Sequence, residues 1–120
     1  MSDTVTVLPP DTPAADILTA AADVIAQRGK CEGAYTDRQG RVCALGALRL
    51  VLTGEAEPRP FAPGDRGRQV AYIDAFTALG RHLEAVDANA PAIYEWSDAS
   101  TQDQVVAAMR AAADRARVTR

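Results

Sequence analysis

Between Ala44 and Thr53 only Arg49 carries a charge, and nearly every other side chain is apolar. A helix of that composition has to be buried on most of its sides, so the remaining elements must be arranged around it, with Gly54 as its C-terminal stop. Immediately upstream, residues 33 to 37 and 41 to 43 read as two short strands. The Arg38-Gln39-Gly40 turn joins them, and Gly40 supplies the positive φ. Such a hairpin is too small to stand alone and must lean on helices. It delivers Cys43 to the N-terminus of the apolar helix, where unpaired backbone N–H groups and the positive end of the helix dipole can lower a thiol pKa.

The rest of the 120-residue chain fits this arrangement. Aromatic residues make up only 5% of it, and the apolar content is mostly Ala, Leu, Val and Ile, which suits closely packed helices better than a β-sandwich. Thr12 reads as an N-cap with Pro13 at the first helical position. Ala14, Ile17, Leu18, Ala21, Val24 and Ile25 then repeat at helical spacing until Gly29. Residues 54 to 67 form a long Pro- and Gly-rich connection with Phe61 at its middle, placed to pin it to the body. A third helix over 68 to 86 shows Ile73, Phe76, Leu79, Gly80, Leu83 and Val86 on one face. Residues 93 to 96 suit either a short strand or a helical turn. Thr101-Gln-Asp-Gln104 has the form of a capping box and opens a last helix with Val105, Val106, Met109, Ala112, Ala113 and Ala116 as its buried stripe.

The fold class expected is α+β and predominantly helical, with about four helices and one short β-hairpin between helices one and two. Residues 1 to 11 read as a flexible tail, although 4 to 8 alternate as an edge strand would, and 12 to 120 read as a single α-rich domain. In the hairpin register Cys43 faces Tyr35, and Cys31 falls about 13 Å along the strand, beyond the roughly 7 Å between Cα atoms that a disulfide tolerates, unless the chain curls at Gly33. Two free thiols fit a reducing compartment, and no leader or membrane-spanning run is visible, so the expected location is the cytoplasm.

Three segments, Cys31-Glu-Gly33-Ala34-Tyr35, Cys43-Ala-Leu-Gly46-Ala47-Leu48 and Ile93-Tyr-Glu-Trp96-Ser97-Asp98, resemble a family of small bacterial and phage-borne proteins catalogued only as a domain of unknown function. The resemblance covers most of residues 14 to 116. It implies the fold and its boundaries but no activity. Lys30 stands where the family pattern has an aromatic residue and Ser97 where it has Asn, which weakens a paired Asn-Asp site.

The candidate site residues point to different chemistries. Cys43 could serve as a nucleophile if His82 reached it, with Asp87, Asn89 or Asp98 to orient the base. Against this, a Cys at a helix start is most often a core residue and a lone His most often a surface or capping group. Cys31, Cys43 and His82 are acceptable metal ligands but lack ligand spacing, so neither metal nor cofactor is expected. Phe61, Tyr94 and Trp96 are candidate aromatic anchors for a protein partner. Arg110, Arg115, Arg117 and Arg120, with Arg28 and Lys30, form a candidate phosphate-binding corner. A net charge of −3 and the lack of a recognisable motif speak against nucleic acid. The reading favoured is a non-enzymatic protein-binding or regulatory module. A thiol-dependent hydrolase or transferase using Cys43 with His82 is the first alternative, and nucleic-acid binding through the C-terminal arginines is the second.

Overall fold

The computed structural model describes residues 6–118, and among them five helices follow one another: α1 (Ala14–Arg28), α2 (Ala44–Thr53), α3 (Arg66–Val86), α4 (Ile93–Ala99) and α5 (Gln102–Val118). The predominance of helix matches the sequence reading. The count of four does not, because 93 to 96, open between strand and helical turn, begin the seven-residue α4.

Helix α2 occupies the centre, with every residue from 44 to 52 buried, Arg49 included. Helices α1 and α5 make the most extensive pairing in the fold. They run antiparallel, as a ladder of polar contacts shows. Asp16 meets Arg117 at 3.3 Å, Asp23 meets Arg110 at 3.1 Å, and the Lys30 N–H donates to Gln102 Oε1 at 3.1 Å. The predicted capping box forms: the Gln104 N–H donates to Thr101 Oγ1 (3.2 Å) and the Thr101 N–H to Gln104 Oε1 (2.8 Å). At α1 the cap differs by one residue, since Pro13 is the N-cap and Thr12 Oγ1 turns back to donate to the Pro9 carbonyl.

The expected register forms, with the Cys43 N–H donating to the Tyr35 carbonyl at 3.2 Å across a turn in which Gly40 has a φ of +80°, but among the described residues the pairing does not grow into the two strands of a hairpin. One antiparallel bridge, Thr36 with Val42, and one parallel bridge, Lys30 with Val42, are all that form between 29 and 43. Val42 is engaged from both sides, and the chain between them turns back on itself through Gly33, whose φ is +74°, so neither flank extends into a strand. This overturns the separation inferred for the two cysteines. The Cys31 N–H donates to the carbonyl of Val42, the residue just before Cys43, at 3.2 Å. Both cysteines are free and buried.

Helix α3 begins at Arg66 rather than 68, and its buried face is rotated from the one expected, sharing Leu79 and Leu83 with it. Ala71, Ala75, Leu79, His82 and Leu83 are buried, whereas Ile73, Phe76 and Val86 are exposed. Preceding it, the 54 to 65 connection is tied down chiefly by Arg49. Its Nε donates to the Glu57 carbonyl at 3.1 Å, its Nη2 donates to the Arg59 carbonyl, and its guanidinium carbon lies 4.8 Å from the Phe61 ring centre and 5.1 Å from that of Tyr72. Of the segment expected as a tail, residues 1 to 5 lie outside the described residues. Leu8 donates its N–H to the Val51 carbonyl at 2.8 Å.

Candidate functional site

The N-terminus of α2 must satisfy N–H groups that have no partner within the helix. Cys43 is its N-cap, in extended conformation, and its Sγ accepts the Gly46 N–H at 3.3 Å, as a Ser or Thr oxygen does at such a position. Ser97, fully buried on α4, accepts the Ala44 N–H on its Oγ at 3.2 Å. The Cys43 N–H donates to the Tyr35 carbonyl at 3.2 Å. That carbonyl lies so close to α2 that a Cβ on residue 46 would come within 2.1 Å of it, so only Gly fits there. Asp98 closes the arrangement by accepting the Gly33 N–H on Oδ1 at 3.1 Å. Three segments distant in sequence are thereby locked together.

A cavity of about 370 Å³ opens where they meet, lined by Gly33, Ala34, Tyr35, Cys43, Leu45, Tyr94 and Asp98. Tyr94 is 58% exposed. Burial pushes the Cys43 thiol pKa up. The Gly46 and Leu45 N–H groups pull it down, and the nearby Asp98 charge adds to the rise. Burial likewise lifts Cys31, to about 11, with Cys43 and Asp37 contributing, and its Sγ–H donates to the Ala34 carbonyl at 3.3 Å. At neutral pH both sulfurs are therefore thiols, the form that is weak as a nucleophile.

Of the three catalytic candidates, Cys43 and Asp98 share this cavity. His82 is not among its lining residues. It is buried on α3, where its Nδ1 accepts Arg115 Nε–H from α5 at 3.1 Å, and its pKa is lowered first by burial and then by the Arg115 charge. No group of three or more His, Cys, Asp or Glu side chains able to hold a metal ion occurs among the described residues.

The aromatic candidates occupy separate places. Tyr94 lines the cavity beside Cys43. Phe61 packs against Tyr72 with the rings tilted by 50° and their centres 5.9 Å apart, and Tyr72 lies 6.2 Å from Phe76. Trp96 is half-buried against the core. Among the arginines, Arg110 and Arg117 pair with the α1 carboxylates and Arg115 with His82, while Arg120 lies outside the described residues. The reading of the sequence missed Ser97 as a helix cap, Gly46 as a close-approach site and Arg49 as the organiser of the loop. The last carried a signal, since a lone charge in an apolar helix must be solvated by something near in the fold, and a Pro-rich loop offers free carbonyls.

No helix among the described residues is long and apolar enough to cross a membrane. Comparison with curated proteins and with solved structures finds no match to the chain. A family model does match, over residues 9–115, which takes in all three segments that build the cavity, and the chain therefore belongs to the Family of unknown function (DUF6197).

Proposed function

We propose that this protein is a non-enzymatic binding module that works in the cytoplasm and receives an apolar side chain of a partner protein in the cavity between the 33–35 turn, α2 and α4. The observation that carries this reading is the half-exposed Tyr94 at a concave site whose thiol serves as a helix cap and stays protonated. Aromatic residues beside such pockets dominate protein interfaces, because they bring a large area at low entropic cost. The thiol-enzyme reading lacks its histidine at the sulfur, since His82 is not among the residues lining the cavity and accepts from Arg115 where α3 meets α5. The nucleic-acid reading loses part of its charge to the pairs with Asp16 and Asp23.

Peptides selected from a random library against the whole protein test the reading. Those recovered should carry a large apolar side chain, and Tyr94→Ala should weaken them by about tenfold or more while leaving the helical circular dichroism unchanged. Selected peptides that bind Tyr94→Ala and wild type equally would place the site elsewhere.

A further inference from the structure

We propose that α3 is the interface of a symmetrical dimer, in which a second copy of this chain packs antiparallel against the helix's exposed apolar stripe. The surface lies on a different element from the Cys43 cavity and does not depend on the reading given above. The apolar part of the stripe is Val70, Ile73 and Phe76, which are 48, 51 and 39% exposed.

Charge argues for a second copy as the occupant. Arg66 and Glu84 are both exposed and stand eighteen positions apart on α3, which is five turns at about 3.6 residues per turn, so they mark the two ends of one stripe. Neither has an ion-pair partner among the described residues. Each also opposes its own helix dipole, with a base in the first turn and an acid near the last. An antiparallel copy related by a two-fold axis at the level of Ala75 reverses both penalties. It sets Arg66 of one protomer against Glu84 of the other and brings each charge to the favourable end of the facing helix.

The same axis places Val70 opposite Gly80. Glycine inside a helix is disfavoured, and nothing in the protomer requires it here, since a Cβ at residue 80 would meet only Ile93 Cδ1 at an ordinary 3.9 Å. Gly80 instead leaves a hollow in a groove of about 460 Å³ that Phe76, Thr77, Leu83, Pro91 and Ile93 also line. Val70 of the partner copy has the size and polarity to fill that hollow.

Sedimentation velocity on the full chain, from micromolar to submillimolar concentration, tests the proposal. Wild type should dimerise. Arg66→Glu and Glu84→Arg should each weaken the dimer by about tenfold, because each places like charges at both ends of the interface, and the double reversal should restore it. Gly80→Leu should abolish the dimer without lowering the melting temperature, which separates a filled hollow from a misfolded chain. A monomer at every concentration, or a dimer indifferent to the charge reversals, would overturn the proposal.

Discussion

The Cys43 sulfur accepts an amide N–H and stands at the positive end of the α2 dipole, yet its pKa is raised, because burial penalises the thiolate more than those groups favour it. The position of Cys43 at the helix start was legible in the sequence. The balance of forces there was not, since it depends on how completely α4 and the 33–35 turn cover the site. A capping role predicts that Cys43→Ser leaves stability within about 0.5 kcal/mol of wild type, while Cys43→Ala loses about 1 kcal/mol, as urea denaturation would show. At Gly46 the contact with the Tyr35 carbonyl leaves no room for a methyl group, so Gly46→Ala should cost about 3 kcal/mol in the same measurement. Ser97 was legible only as a departure from a family pattern. Its role as a cap appears once α4 is seen crossing the α2 N-terminus.

Elements defined by nearby residues could be read directly: the α5 capping box closes over three residues, and the α2 stretch is apolar throughout. The hairpin misled because alternation and a turn describe what a segment can do, whereas Val42 pairs with residues on both sides of a bend. Helix α3 misled for a different reason. It has two apolar stripes, and the one that packs inward is built on Ala71, Ala75 and Leu79, whose small members let the helices approach. Arg49 shows how a loop is held by an element it follows. Arg49→Lys and Arg49→Met should both cost about 2 kcal/mol, because neither side chain can hold two carbonyls and a ring face together. Hydrogen exchange over residues 54 to 65 should accelerate in both variants. His82 links α3 to α5 as a neutral acceptor. Its folded pKa lies below the unfolded value, so the unfolded chain binds the proton more readily and stability should fall as pH drops below about 6.5, levelling off beneath the folded pKa. His82→Gln should flatten that part of the pH–stability curve.

At the scale of the whole molecule, the antiparallel α1–α5 pair and the buried α2 form a frame on which the three marked segments converge. That convergence was legible only in part, because extended-strand geometry put Cys31 about 13 Å from Cys43 with a curl at Gly33 as the alternative, and the choice between them is made by tertiary contacts. We propose that these segments build a binding cavity with a protonated capping thiol rather than a catalytic centre. The most direct test is the alkylation rate of each cysteine in the native protein as a function of pH, read by peptide mass spectrometry. With its thiol pKa raised, Cys43 should label slowly through neutral pH and faster only as the pH climbs past the usual thiol range. Rapid labelling of Cys43 well below the usual thiol pKa of about 8.5 would contradict it and make the thiol a nucleophile.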